Sequence, residues 1–243
     1  MRKKEEVAMQ ITLSKRLERL GHYVTEGNRL ADIGTDHAYL PIALVQARRI
    51  PSAVAVDVNE GPLLRADAQI RAAGRAVQLQ TRLSDGFSGI RPDEADTVVI
   101  AGMGGQLMKR ILEGGVHLFA SVSELVLQPQ SEICLVRSWL EEHGFCITDE
   151  DMVFEDGKYY PLFRAVHGDS ETAPDPAELY FGRTAVQRSP QVRLAFLERD
   201  SQKNGRSMEG LSADASGQAR RLRELEEVEA WIGQIRADLS RGC

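Results

Sequence analysis

The sequence has few of the features that would place it outside the cytoplasm. Its three cysteines, Cys134, Cys146 and Cys243, form no C-x-x-C pair and match no metal-ligand spacing. No apolar run approaches the roughly 18 residues that a membrane-spanning helix needs, and the N-terminal stretch lacks the apolar core of a secretory signal. We therefore expect a reduced, cytoplasmic protein that binds neither a metal nor a membrane.

The sequence also lacks an excess of basic residues. Its net charge of −6 counts against a nucleic-acid partner, although residues 1–30 and 177–243 are each mildly basic. This distribution leaves open both a basic binding rim and a chance scatter of surface charge. Apolar residues make up 42% of the chain and charged residues 27%, which indicates a globular protein rather than a disordered one.

Short apolar runs alternate with helix-like segments over the first 144 residues. The candidate strands are residues 29–34, 52–58, 77–83, 96–102 and 124–129, and the candidate helices are residues 38–49, 60–74, 104–114 and 131–144. Such short apolar strands are typical of a parallel sheet covered on both faces. Two further runs flank the turn signal EDGK within residues 146–168, which predicts a hairpin. The pattern predicts an α/β fold with a Rossmann-like methyltransferase sheet, parallel except for one antiparallel strand.

The chain beyond this sheet follows a different pattern. Residues 168–177 are polar and contain two prolines, which is typical of a linker. A heptad spacing relates five apolar residues of the tail, Leu225, Val228, Ile232, Ile235 and Leu239. Residues 177–204 predict a preceding helix whose boundary Pro190 leaves open, and KNGRS at 203–207 predicts a turn or a helix break. We therefore predict two domains, residues 1–167 with the sheet and residues 168–243 with a coiled-coil-like helical hairpin.

Polar residues and glycines follow the end of every candidate parallel strand. They are Asp32 and Gly34, Asp57 and Asn59, Asp85 and Gly86, the run Gly102 to Gly105, and the run Gln128 to Gln130. Open α/β sheets bind ligands at the carboxyl ends of their strands. Each residue alone has a structural explanation, such as a helix cap or a tight turn. Their joint placement on consecutive strand ends favours a cofactor site.

The turn after the first strand narrows the kind of cofactor. It has a single glycine and a carboxylate, Asp36, where a dinucleotide site usually has G-x-G-x-x-G. Asp36 would repel a pyrophosphate by a few kcal/mol at an effective dielectric constant near 20. S-adenosylmethionine has a ribose, no phosphate and a cationic sulfonium, so it suits a crevice lined with carboxylates. Asp57 then suits the ribose hydroxyls and Asp85, beside Gly86, the adenine amino group.

Six segments together resemble one family. They are LSKRL (13–17), ADIGTDHAYLP (31–41), SDGF (84–87), AGMGG (101–105), LQPQ (127–130) and EDGKYY (155–160). Over about residues 12–168 the chain resembles bacterial tRNA (adenine-22 N1)-methyltransferases, in which a helical tail is also expected. The sequence departs from the family at Gln130, where Asn is usual, and at Pro161, where Glu is usual. The resemblance implies S-adenosylmethionine as the methyl donor and N1 of adenine 22 in tRNA as the acceptor.

The strand ends and the resemblance together give the predicted site. Asp36 is the candidate catalytic carboxylate, with helix capping as its alternative. His37 is a second catalytic candidate that could orient Asp36 or stack near the base, with a structural role as the alternative. The candidate cofactor-binding residues are Asp32, Gly34, Asp57, Asn59, Asp85, Gly86, Gly102 and Met103. The candidate tRNA-binding residues are Lys15, Arg16, Arg19, Tyr39, Gly104 and Tyr160, with Arg220, Arg221 and Arg223 in the tail. Solvated helix faces for the cations and core positions for the tyrosines are the alternatives.

Several other functions stay open. A methyltransferase could act on another RNA or on a small molecule, and a non-catalytic adaptor could bind tRNA. A nicotinamide-dependent oxidoreductase is disfavoured by the single glycine and by Asp36. The helical tail could bind tRNA or dimerise, so we expect a monomer or a weak homodimer.

Overall fold

The computed structural model describes residues 11–168, 170, 172–183, 188–211 and 216–241. The first ten residues, parts of the predicted linker and Cys243 lie outside these ranges. In chain order the helices and strands are α1 (Lys15–Tyr23), β1 (Leu30–Ile33), α2 (Tyr39–Gln46), β2 (Ala53–Asp57), α3 (Glu60–Ala72), β3 (Leu79–Leu83), β4 (Thr97–Gly104), α4 (Gly105–Gly115), β5 (Glu124–Ser131), α5 (Ile133–Glu142), β6 (Phe145–Glu155), β7 (Lys158–His167), α6 (Pro176–Phe181), α7 (Pro190–Glu209) and α8 (Ser216–Arg241).

Seven strands form one sheet in the order β3-β2-β1-β4-β5-β7-β6. Strands β1 to β5 are parallel, whereas β7 runs antiparallel to both β5 and β6. The hairpin turns at Asp156 and Gly157, both with positive φ angles, as the EDGK signal predicts. The predicted α/β sheet with its antiparallel strand is therefore confirmed.

The core lies on both faces of the sheet. On one face, the rings of Phe87, Trp139 and Phe145 pack edge-to-face around Phe119. On the other face, helices α1 to α3 bury apolar side chains that include Leu20, Ile42 and Ile70. Because helices cover both faces, β1 and β2 are buried along their whole length, which explains their apolar sequences. Among the helices of the described residues, none combines the length and apolar character that a bilayer crossing requires.

The tail has an apolar cluster of its own, built from α6, α7 and α8. All five residues of the heptad spacing are buried, and four of them pack in this cluster. The predicted helix 177–204 is wrong, because this segment contains α6 and the first part of α7. Pro190 lies in the first turn of α7, where a helix needs no backbone N–H.

The predicted turn at residues 203–207 is also wrong, because α7 continues through it to Glu209. The Ser201 hydroxyl and the Asn204 amide donate hydrogen bonds to Glu229 of α8, at 2.6 and 3.0 Å. These contacts between helices offset the cost of about 1 kcal/mol that Gly205 imposes on a helix interior. Local turn propensity is therefore outweighed here by packing between α7 and α8.

Candidate active site

The turn between β1 and α2 has an unusual backbone. Gly34 has a φ of +79°, a left-handed conformation that favours glycine, and a Cβ atom there would lie 2.1 Å from Cε at the flexible end of Met103. Asp36 and Ala38 also have positive φ angles, +47° and +55°, which side chains rarely adopt. Such left-handed positions cluster at functional sites, where the surrounding fold holds them. The backbone of the turn that follows β1 therefore indicates a functional site rather than a simple connection between β1 and α2.

A cleft of about 400 Å³ opens beside this turn, at the carboxyl edge of the parallel strands. It is lined by Arg16, Leu17, Asp32, Gly34, Thr35, Asp36, His37, Tyr39, Leu40, Val99, Ala101, Gly102 and Gln130. Seven of the predicted site residues meet here, namely Arg16, Asp32, Gly34, Asp36, His37, Tyr39 and Gly102. Gln130, where the family usually has Asn, also faces this cleft, whereas Pro161 is buried in β7.

Asp32 is the buried carboxylate of the cleft, with 7% of its surface exposed. Its Oδ2 accepts a hydrogen bond of 2.6 Å from the Thr35 hydroxyl. Burial raises the pKa of Asp32 to about 6, the Thr35 hydrogen bond opposes this rise, and the charge of nearby Asp57 adds to it. No cation forms an ion pair with Asp32 among the residues that the structure describes. A cationic ligand would supply the missing compensation.

Asp36 is in a different environment, because 60% of its side chain is exposed. Its Oδ1 accepts from the Arg65 guanidinium at 2.7 Å, and its Oδ2 lies 3.5 Å from Nε2 of His37. The His37 ring stacks on Tyr39, with centroids 5.0 Å apart and planes within 6°. Asp36 therefore lies at the mouth of the cleft with its position fixed by Arg65.

The remaining predicted cofactor residues surround the cleft. Asp57 ends β2 beside β1, and its Oδ1 accepts a 2.9 Å hydrogen bond from the Asn59 backbone. Asp85 is exposed after β3, and Gly86 is buried with a φ of +55°. Met103 reaches under the β1 turn, where its Cε closes against Gly34. These residues lie at or just after the carboxyl ends of the parallel strands, but they do not line the cleft itself.

Arg16 is the guanidinium that faces the cleft, and two neighbours hold it. Its Nη1 donates to Oε1 of Gln128 at 3.1 Å, and it lies over the Tyr160 ring at 5.5 Å from the centroid. Gln128 is fully buried and also accepts from the Gly102 backbone N–H at 3.2 Å. The sequence placed Gln128 at a strand end but gave no signal of this bridging role. Tyr160 is covered by Arg16 rather than open to a base.

The other predicted tRNA-binding residues have mixed surroundings. Arg19 forms a 2.5 Å ion pair with buried Asp151, and Arg220 and Arg221 both pair with Glu224. Lys15 and Arg223 are exposed on α1 and α8. Gly104 precedes α4, where a Cβ atom would lie 3.0 Å from Oγ of Ser131.

A larger hollow, of about 690 Å³, lies at the far end of α1 near the amino edge of the sheet. It is lined by four arginines, Arg19, Arg49, Arg164 and Arg188. Three of them pair with carboxylates, and Arg49 donates to two backbone carbonyls of α1 and its C-terminal cap. These charges are already compensated within the fold, so the carboxyl-edge cleft is the better candidate for the active site despite its smaller volume.

Comparisons with known proteins agree with this geometry. Residues 13–163 match the methyltransferase domain family. The chain is 38% identical to the tRNA (adenine(22)-N(1))-methyltransferase of Bacillus subtilis (strain 168) over 173 residues, which cover 71% of this chain and 73% of that protein.

Two solved structures share the fold of nearly the whole chain. The B. subtilis m1A22 tRNA methyltransferase TrmK superposes with a TM-score of 0.83 at 31% identity, covering 93% of this chain and 99% of that one. M. capricolum TrmK, solved with the cofactor product S-adenosyl-homocysteine, superposes with a TM-score of 0.82 at 26% identity, covering 93% and 98%. The chain therefore belongs to the tRNA (adenine(22)-N(1))-methyltransferase family.

Proposed function

We propose that this chain transfers a methyl group from S-adenosylmethionine to N1 of adenine 22 in tRNA. Membership of the family supports the reaction, because the B. subtilis relative is the enzyme of that name. The observation that carries the proposal is Asp32, a carboxylate buried in the carboxyl-edge cleft, whose partner among the described residues is a hydroxyl and not a cation. A cationic nucleoside without phosphate fits this cleft, whereas a dinucleotide would bring its pyrophosphate against Asp32 and Asp36.

The residues around the cleft suit S-adenosylmethionine. Asp32 would hold its cationic part, and Gly34 and Gly102 would let the backbone approach it closely. Asp57 and Asn59 would bind the ribose hydroxyls. Asp85 and the backbone of Gly86 would meet the adenine, with Met103 packing beneath the turn. These assignments are our proposal for the cofactor site.

The bound cofactor supplies an electrophilic methyl group on a sulfonium. N1 of adenine has an in-plane lone pair, so the protein needs no base to remove a proton before attack and acts mainly by alignment. Methylation makes the exocyclic amine more acidic. Asp36 would accept a hydrogen bond from this amine and then its proton, while Arg65 and His37 keep the carboxylate in place.

Substrate RNA would enter over the mouth of the cleft. Arg16 would meet negative charge there, and Tyr39 and Gly104 would border the flipped base. Lys15 would add a phosphate contact, whereas Arg19 and Tyr160 would support α1 and Arg16 through their existing contacts. Residues 168–243 would form a second domain that binds tRNA or joins two copies into a weak dimer. The proposal includes a cytoplasmic location, because the substrate would be tRNA.

The test is methylation of unmodified tRNA with a labelled donor, followed by nucleoside analysis. We expect label in 1-methyladenosine, and no label in a transcript whose adenine 22 is replaced by guanine. Label in another nucleoside, or equal labelling of both transcripts, would reject the proposed target. Binding of NADH without binding of S-adenosylmethionine, measured by calorimetry, would reject the reaction class.

A further inference from the structure

Helix α7 carries an exposed row of cations. Arg199, Lys203 and Arg206 are spaced by four and three residues, so they share one helix face. Among the residues that the structure describes, none of the three forms an ion pair with a carboxylate. Asp200 interacts with Arg199 and Lys203 only at longer range. Arg19, Arg220 and Arg221, in contrast, are held by carboxylates.

An aromatic cluster continues this row toward the sheet. Phe154 and Tyr159 lie across the β6–β7 hairpin with ring centroids 4.6 Å apart, and Phe196 of α7 meets Tyr159 at 5.5 Å. The Arg199 guanidinium lies over Tyr159 and Phe196, at 4.6 and 5.3 Å from the ring centroids. Phe154 remains 48% exposed, so one large ring is open to a stacking partner.

This surface lies at the same end of the sheet as the cleft but on the opposite face of the β6–β7 hairpin, because Tyr159 and Tyr160 are adjacent in β7 and point to opposite faces. The β6–β7 hairpin extends beyond the paired part of β5 at its carboxyl end, and Tyr160, next to Tyr159, lies beneath the Arg16 that lines the cleft. Just before α7, the Arg188 backbone N–H donates to the Glu150 carbonyl of β6, and within α7 the Phe196 ring contacts Tyr159 of β7. The ten residue steps from Phe196 to Arg206 extend the row about 15 Å along the helix axis.

We propose that this α7 ridge, formed by Phe154, Tyr159, Phe196, Arg199, Lys203 and Arg206, binds a part of the tRNA that extends past the end of the sheet where the cleft lies. The cations would contact phosphates, and Phe154 would stack on an unpaired base outside the cleft. Aromatic rings with interspersed arginines are a general device for binding unpaired nucleotides. A second copy of this chain is the poorer occupant, because it would bring the same uncompensated cations. The inference rests on the proposed function and adds a contact surface to it.

Charge removal tests the ridge. We expect Lys203→Gln with Arg206→Gln to weaken binding of unmodified tRNA at least tenfold at about 0.1 M salt. The slope of log affinity against log salt should become about 1.5 units shallower. The matched control, Arg48→Gln with Arg110→Gln, removes two exposed cations that form no ion pair among the described residues, one after α2 and one in α4, and should change affinity less than twofold. Fluorescence anisotropy at several salt concentrations measures both quantities.

Stacking has a separate signature at Phe154. We expect Phe154→Leu to weaken tRNA binding about five- to tenfold without changing the salt slope, and Phe154→Trp to restore it. Binding of S-adenosylmethionine, measured by calorimetry, should be unchanged in every variant.

Three outcomes would overturn the ridge. One is an unchanged tRNA affinity and salt slope in the double variant, and another is an equal loss in the control. The third is a change of oligomeric state by sedimentation without a change in tRNA affinity, which would make this face a contact between copies. If 1-methyladenosine still forms at position 22 in any of these cases, the proposed function stands without the ridge.

Discussion

Two buried carboxylates near opposite edges of one sheet have opposite environments. Glu124 begins β5 at the amino edge, where Thr97, Thr25 and Arg164 all donate to it. Burial opposes its ionisation, yet these hydrogen bonds outweigh burial and lower its pKa. Asp32 lies near the carboxyl edge with the Thr35 hydroxyl as its donor, and burial raises its pKa to about 6.

The difference separates a structural carboxylate from a functional one. Both are buried, so burial alone does not mark a site. What distinguishes Asp32 is incomplete compensation, because within the described ranges no guanidinium pairs with it as Arg164 pairs with Glu124. A fold tolerates such a group where a ligand completes it. The carboxyl edge is therefore open to a cation, and the amino edge is closed.

The largest effect should come from Asp36, the exposed carboxylate of the carboxyl edge. We expect Asp36→Ala to lower kcat for tRNA methylation about a hundred- to ten-thousandfold, because a proton acceptor is lost. Cofactor affinity, measured by calorimetry, should be unchanged, since Asp36 would act on the substrate base.

A change at Arg65, the ion-pair partner of Asp36, tests whether loss of this ion pair alone destabilises the fold. Arg65→Gln removes an exposed ion pair and should change the free energy of unfolding by less than about 1 kcal/mol. Loss of cofactor binding by Asp36→Ala, with the fold intact by circular dichroism, would instead assign Asp36 to the cofactor.

Asp32→Asn should weaken cofactor binding at least a hundredfold, because the cation loses its buried counter-charge. The same change should raise the free energy of unfolding of the free enzyme by up to about 3 kcal/mol at pH 7, since the ionised carboxylate is disfavoured there. Calorimetry and urea unfolding measure the two effects. Simultaneous loss of affinity and stability would mean that Asp32 is structural and would remove the contrast with Glu124.

Glu124→Gln is the matched change at the amino edge and should act in the opposite way. The Arg164 guanidinium loses its charged acceptor, so we expect the free energy of unfolding to fall by about 3 kcal/mol. Cofactor affinity should stay within about twofold of the unmodified enzyme at a temperature where both are folded. A Glu124→Gln protein of unchanged stability would contradict a structural role for this carboxylate.

Most of the sheet could be predicted from the sequence because its strands are buried on both faces. The apolar runs of β1 and β2 give a strong local signal, and the EDGK turn fixes the hairpin. The tail was harder, because the Asn204 to Glu229 contact joins residues that are 25 positions apart. No local pattern reveals that this contact stabilises the helical conformation of α7 at Gly205.

The candidate site also contains some residues that local sequence predicts and others that only the tertiary fold brings together. Asp32, Gly34 and Asp36 follow directly from the strand–turn–helix pattern, which local sequence encodes. The bridge from Gln128 to Arg16 spans 112 positions and depends on α1 packing against β5. The α7 ridge combines residues of the β6–β7 hairpin with residues of α7, which are far apart in sequence and come together only in the folded chain. Exposure and ion pairing, which separate Arg199 from Arg19, are also set by the tertiary fold rather than by the local sequence.

The smallest of these effects is a dependence of cofactor affinity on pH. Below about pH 6 Asp32 is protonated in the free enzyme and must release a proton before it can bind a cation. Affinity should therefore fall by up to tenfold per unit from pH 6 to pH 5 and level off above pH 6 to 7. The amino acid part of the cofactor keeps both charges over this range, because its carboxyl group titrates near 3.5 and its amino group near 8.

Asp32 and Glu124 should also change the free energy of unfolding with pH in opposite directions. Because the folded pKa of Asp32 is raised, its contribution to the free energy of unfolding decreases as the pH rises from about 4 to about 6. Glu124 has a lowered pKa, so its contribution is present above about pH 4 and is lost as the pH falls below that value.

Calorimetric titrations from pH 5 to 7 with the unmodified enzyme and with Asp32→Asn measure the effect of pH on cofactor binding. A constant affinity in the unmodified enzyme would show that Asp32 does not contact the cation, whereas a slope that disappears only in Asp32→Asn would locate the effect at this carboxylate.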